Sequence, residues 1–128
     1  MRRAKPQHLV QRGVVVAMRR QRGDEEARQR HKVRVAMSPF LAQLFPARET
    51  IARLTIDLMA KTAPTAETRV SLARIQHLVA GVRRGFDEAV NNLPSDLRVN
   101  SQVADVRKAI DQVERQVSDL AELAKQKR

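Results

Sequence analysis

The sequence predicts an all-α protein: an antiparallel helical hairpin within a coiled-coil-like bundle of about three to five helices, preceded by a basic N-terminal segment. Aliphatic residues recur at alternating spacings of three and four through the C-terminal half, as on one face of a packed helix. Four glycines and five prolines among 128 residues are few for a fold of many strands and turns. Aromatic residues make up only 2% of the chain, so the core must be largely aliphatic.

The charge distribution divides the chain into a basic segment, residues 1–37, and a helical bundle, residues 38–128. The formal net charge is +11, and residues 1–35 carry eleven Lys/Arg against three Asp/Glu. Such an excess favours binding to a polyanion but says nothing about the fold. The N-terminal segment is therefore predicted to be a phosphate-contacting arm.

The N-terminal third fits two patterns. Its apolar spacing fits a helix up to Gly23, followed by a second helix from Asp24 through Ala36. Against that, "VVVAM" (14–18) and "VRVAM" (33–37) repeat each other and are rich in β-formers. Helices are favoured, and the strand alternative stays open. Ser38 and Pro39 then have the residue types that cap and open a new helix.

If 33–37 is a strand, "KVRVAMSPFLAQL" (32–44) resembles the start of a ribbon–helix–helix DNA-binding domain, whose dimeric two-stranded ribbon reads the major groove. The resemblance implies that Lys32, Arg34 and Ala36 face the bases. Pro46 departs from the pattern because it shortens the first helix, and no glycine-bearing turn follows.

Residues 46–62, "PARETIARLTIDLMAKT", predict a shorter helix with Pro46 in its first turn. Its acidic and basic residues alternate at i,i+4 spacing and face water. They are Glu49, Arg53, Asp57 and Lys61. One apolar side consists of Ile51, Leu54 and Leu58, and a second of Ala52, Ile56 and Met59. The second side is expected to be covered by the N-terminal part or by another protein subunit, and self-association is one option.

The C-terminal half predicts the hairpin, with helices at 65–92 and 96–126. Thr65 is the expected N-cap, Pro94 ends the first helix, and the second restarts from Ser95 or Asn100. The bulkier seam consists of Leu72, Ile75, Val79, Val82, Phe86, Ala89 and Leu93. The slimmer seam consists of Val99, Val103, Val106, Ile110, Val113, Val117, Leu120 and Ala124. Pairing a thin seam with a thick one keeps the core at native density. Surface ion pairs are expected between Asp111 and Arg115 and between Arg115 and Asp119.

The candidate binding residues are cations that can pair with phosphates of a nucleic-acid backbone. They are Arg12, Arg19, Arg20, Arg22, Arg28, Arg30, Lys32 and Arg34, with His77 and Arg84 as secondary contacts. The chain has no Trp or Tyr, and Phe40, Phe45 and Phe86 fall at core spacing. Base-stacking recognition is therefore not expected, and contact should be made with the backbone.

Other chemistries find no support in the sequence. There is no cysteine, and the three histidines, His8, His31 and His77, have no acidic partners at ligand spacing. No metal, cofactor or catalytic centre is therefore expected. No apolar run is long enough for a membrane span, so a cytoplasmic protein is expected.

These observations favour a non-catalytic nucleic-acid-binding helical subunit of a larger nucleoprotein assembly, with DNA and RNA both open. In size, basicity and helix count the chain resembles the small helical subunits of RNA-guided effector complexes, which line a nucleic-acid path. The first alternative is a structural, adaptor or virion coiled-coil protein whose basic arm binds an acidic partner. The second is the ribbon–helix–helix-like DNA-binding protein.

Overall fold

The computed structural model describes residues 6–127, with side chains from residue 19 onward. Within that range the chain forms helices and no strand, which confirms the all-α prediction. The helices are α1 (Pro6–Ala60), α2 (Ala66–Asn92) and α3 (Ser101–Gln126). Within the described range, the chain divides into two units, with the boundary between Lys32 and Val33.

Helix α1 is longer than the sequence predicts. It runs for 55 residues, and both 14–18 and 33–37 are helical. The predicted breaks at Gly23, at Ser38–Pro39 and before Pro46 are therefore wrong. Because 33–37 is helical, the ribbon that the ribbon–helix–helix resemblance requires is not formed.

Packing explains why α1 continues through its two prolines. Between Val33 and Leu58, eight apolar residues at alternating spacings of four and three are buried. They are Val33, Met37, Phe40, Leu44, Ala47, Ile51, Leu54 and Leu58. Pro39 and Pro46 are exposed and lie away from this seam, so neither ring is part of the core. Pro39 has no N–H for the carbonyl of Val35, and the Ser38 hydroxyl donates to that carbonyl instead, at the long distance of 3.5 Å.

The seams of all three helices meet in one core. Seven positions of the predicted slim seam are buried from Val103 to Ala124, and four of them are 0–2% exposed. Phe86, Met37 and Leu44 are among the largest fully buried side chains, so the bulk comes from α1 and α2. Valine on α3 therefore meets bulky residues of two helices, whereas the sequence predicted only one.

The hairpin ends match the predicted caps except at one point. The Thr65 hydroxyl accepts from the Thr68 backbone N–H at 3.1 Å, which confirms Thr65 as the N-cap of α2. Helix α3 starts at Ser101 and is capped by Asn100, the later of the two predicted starts, so the predicted bound at residue 96 lies too early. Val99 consequently lies in the connecting turn and is 85% exposed, so its predicted place in the seam is wrong.

Two of the three phenylalanines form the aromatic part of the core. The rings of Phe40 and Phe86 pack edge to face, with centroids 5.9 Å apart. Gly85 allows this approach, because a Cβ there would lie 3.2 Å from Phe40 Cε1. Phe45 is 66% exposed, which contradicts its predicted core position. In the described part of the chain, no helix has the length and apolarity needed to cross a bilayer.

Candidate nucleic-acid interface

The basic helical segment, residues 19–32, presents its side chains to solvent. Every residue in it is exposed except Gln29, which is half-buried. It contains six Lys/Arg and three Asp/Glu. Because none of these side chains is fully buried, the segment contributes nothing to the core, and its exposed side chains are free to bind another molecule.

Helical geometry spreads these cations around the axis. At about 100° per residue, Arg19, Arg22 and Arg30 lie within about 80° of one another. Arg28 and Lys32, one turn apart, lie on the opposite side, and Arg20 lies between the two groups. The segment therefore carries two opposed rows of cations, with Glu26 within the first row and Asp24 and Glu25 beside Arg28 and Lys32 in the second.

The acids of the segment neutralise its cations only weakly. Among the residues with described side chains, the one ion pair in the segment joins Arg28 to Glu25 at 4.0 Å, with the two side chains 78% and 61% exposed. Pairs this open contribute at most about 1 kcal/mol and are screened by salt. The cations consequently remain available to a stronger polyanion.

The remaining candidate residues lie elsewhere. Arg34 is exposed within the unit that begins at Val33, and the side chain of Arg12 lies outside the described residues. His77 and Arg84 are exposed on α2, two turns apart on one side of that helix. That side also carries the half-exposed Val70, so it is a mixed surface rather than a basic one.

An electrostatic contact between α2 and α3 was not expected from the sequence. Arg83 of α2 donates to Asp111 and Glu114 of α3, with an Nε–Oε2 distance of 3.2 Å to Glu114. The hydrogen bond to Glu114, opposed by desolvation and aided by Asp111, raises the pKa of Arg83 above its usual value. This pairing replaces the expected Asp111–Arg115 contact and ties the hairpin together. Arg83 is therefore not available to a ligand, in contrast to its neighbour Arg84.

A second unexpected cluster joins the end of α1 to the start of α2. The buried Thr68 hydroxyl donates to Asp57 Oδ2 at 2.6 Å, and Lys61 Nζ lies 2.7 Å from Asp57 Oδ1. Since the Thr68 proton goes to Asp57, the Thr65 hydroxyl donates to Thr68 Oγ1 over 2.9 Å. Lys61–Asp57 is the one pair of the predicted charge ladder that forms among the described residues. The cluster ties the end of α1 to the start of α2.

This cluster should make stability depend on acid pH. The hydrogen bonds from Lys61 and Thr68 lower the pKa of Asp57 below its usual 3.8. A carboxyl with a lowered folded-state pKa stabilises the fold above its unfolded pKa, and that contribution is lost as pH falls through the folded value. Asp57→Asn should therefore have a lower Tm than the wild type at neutral pH, and the difference should shrink below pH 3.8.

Thermal unfolding followed by circular dichroism from pH 7 to pH 2 would test this dependence. Asp105→Asn, at an exposed carboxylate of α3 with no ion pair among the described residues, is the matched control. A Tm difference for Asp57→Asn that stays constant across the whole range would contradict the prediction.

Comparison with protein-family models, with curated proteins and with solved structures finds no match for this chain.

Proposed function

We propose that this chain is a non-catalytic nucleic-acid-binding helical subunit that contacts the phosphate backbone without sequence preference. The observation that carries the proposal is the basic helical segment, residues 19–32, in which six cations and three acids surround a helix exposed on all sides. Exposed arginines that lack strong internal partners gain most from phosphate, which they bind bidentately.

The two opposed rows suit a groove better than a flat surface. A helix is about 10–12 Å wide with its side chains, and the major groove of B-DNA is about 12 Å wide. A helix lying there has a phosphate backbone on each side, so Arg19 and Arg30 can reach one strand while Arg28 and Lys32 reach the other. The major groove of an RNA duplex is too narrow for this arrangement. Duplex DNA is therefore the first ligand to test.

The bundle supplies the protein contacts of the proposed assembly. Ala52, Ile56 and Met59 are exposed on α1, where another subunit would cover them, and a second copy of this chain is one such subunit. A cytoplasmic location completes the proposal, because a chain without cysteine needs no oxidising compartment.

Charge reversal combined with salt titration tests the proposal. If about six phosphates are neutralised, the slope of log K against log salt should be about −5 for duplex DNA. Arg28→Glu, Arg30→Glu and Lys32→Glu together should reduce that slope by about three and weaken binding by about 100-fold near 0.1 M salt. Fluorescence anisotropy with a labelled duplex measures both quantities.

The matched control changes the net charge equally but on the bundle, by reversing the exposed Arg69, Lys108 and Arg115. The proposal predicts that this control keeps most of the affinity. Equal losses in both triple variants would show that bulk charge alone drives binding. Binding to polyglutamate but to neither DNA nor RNA would overturn the proposal in favour of a basic arm for an acidic protein.

A further inference from the structure

Helix α1 carries an uncovered apolar surface, here named the outer face. Among the residues with described side chains, eight large hydrophobic ones are exposed, and five of them belong to α1. They are Val35, Leu41, Phe45, Ile56 and Met59, each 51–70% exposed. Soluble chains rarely leave this much apolar surface along one element unless another molecule covers it.

The central part of the outer face, from Ala42 to Met59, has its own coiled-coil periodicity. Its positions alternate at spacings of three and four, as the buried seam does, on the opposite side of the helix. They are Ala42, Phe45, Glu49, Ala52, Ile56 and Met59. All six are exposed. A helix with two such seams packs on two sides, and the bundle of one chain covers only one of them.

We propose that the outer face binds a second copy of this chain, with the two α1 helices antiparallel. The positions are arranged symmetrically about the point between Thr50 and Ile51. A two-fold axis there places Phe45 against Ile56 of the second copy. The same axis places Ala42 against Met59 of the second copy, so a small residue meets a long one. An isologous dimer needs this self-complementarity.

Charge gives the antiparallel pairing its direction. Glu49 would lie beside Ala52 of the second copy, within reach of the flanking Arg53 of that copy, and symmetry repeats this contact. Within one chain, the expected i,i+4 pair between Glu49 and Arg53 does not form in the described residues, so both remain available. Parallel pairing would instead set Glu49 against Glu49 and Arg53 against Arg53, which repel.

The size of the face sets the expected strength. In the proposed register the two copies overlap from Ala42 to Met59, about 26 Å along one helix, which is less than the roughly 800 Å² per partner of a standard interface. The net charge of +11 on each chain also opposes association at low salt. We therefore expect a dimer with a Kd on the order of 1–100 µM, strengthened by salt.

Sedimentation equilibrium in about 0.5 M salt measures this association, since like-charge repulsion is screened there. Ile56→Glu should weaken the dimer by about 10-fold or more, because it buries a charge in the apolar contact. Val99→Glu, at an exposed apolar residue outside the outer face, should leave it unchanged. A chain that stays monomeric at about 500 µM, or an Ile56→Glu variant that dimerises like the wild type, overturns the proposal.

Reversing the two charged positions tests the register directly. E49R alone and R53E alone should each dimerise more weakly than the wild type, because like charges then meet across the axis. An equimolar mixture of the two variants makes every such contact complementary and should restore association. A mixture no stronger than its components would exclude the antiparallel register.

Cross-linking gives a second readout of direction. The chain has no cysteine, so introduced thiols react only with each other. The A42C chain mixed with the M59C chain should form the mixed disulfide, because the proposed axis brings these positions together. Disulfides confined to A42C–A42C and M59C–M59C pairs would indicate parallel pairing and contradict the proposal.

The proposed self-association does not depend on the proposed nucleic-acid binding, so an experiment can overturn either proposal without affecting the other. The reversal of Arg28, Arg30 and Lys32 should leave the dimer intact in about 0.5 M salt, where phosphate binding is largely abolished. Ile56→Glu should lose the dimer while its basic helical segment is unchanged. Rising salt strengthens one association and weakens the other.

Discussion

Replacing Phe86 with alanine should lower the free energy of unfolding by about 3–5 kcal/mol, which we expect to be the largest single-residue effect in the chain. Phe86 is 0% exposed, and its ring meets Phe40 edge to face at a centroid distance of 5.9 Å. Arg107 lies over the same ring, with its guanidinium carbon 5.5 Å from the centroid. The substitution therefore leaves a cavity and removes an aromatic pair worth about 0.5–1.5 kcal/mol beyond its area.

Phe45→Ala is the control, because it makes the same chemical change at a site that is 66% exposed. Its effect on monomer stability should stay within about 0.5 kcal/mol, as for most surface substitutions. Urea denaturation at a protein concentration below the expected dimer Kd measures both variants. If Phe86→Ala lowered the free energy of unfolding by less than about 1 kcal/mol, the Phe86 ring would not be a tightly packed part of the core, and the prediction would be wrong.

The hairpin was predictable because its information is local. The spacing of three and four that marks α2 and α3 lies within each helix, and Thr65 and Pro94 mark the ends of α2. Val99 was wrongly assigned to the seam of α3 because it continues the spacing by one step. Asn100 forms the N-cap of α3, which places Val99 in the preceding turn.

Helix α1 was not predictable from its local signals because two energies compete there. Each proline in a helix costs about 3 kcal/mol, whereas each large apolar side chain that becomes buried contributes about 1.5–3 kcal/mol. Seven large side chains are buried from Val33 to Leu58, against two prolines that face water. The same spacing runs unbroken through Pro39 and Pro46, and this was the signal available in the sequence.

The candidate site was predicted in composition but not in arrangement. The basic residues were identified by charge, and their two opposed rows follow once residues 19–32 are known to be helical. The contact of Arg83 with Asp111 and Glu114 was missed because it joins residues 28 and 31 positions apart. From sequence, side-chain ion pairs on a helix are predicted only between residues three or four positions apart, and this spacing favoured the pair Asp111–Arg115.

Enlarging the slim seam of α3 should also destabilise the protein strongly. Val103 and Val113 are each 0% exposed, in a core whose bulk comes from α1 and α2. An added methylene in a well-packed core costs about 1–3 kcal/mol, more than the few tenths of a kcal/mol that leucine gains in helix propensity. The two sites are about 15 Å apart along the helix, so Val103→Leu with Val113→Leu should cost about 2–6 kcal/mol in total.

Val70→Leu separates packing from propensity, because Val70 is helical but 50% exposed. Only the two core sites lack room for a larger side chain. In the same urea titration, Val70→Leu should therefore be neutral or slightly stabilising, whereas the double variant should lose stability. If leucine stabilised all three sites, helix propensity would outweigh packing, and valine in α3 would not reflect steric need. The opposite signs expected here follow from one cause: α3 lies against two bulky seams at once, which leaves room on its inner side for valine but not for leucine.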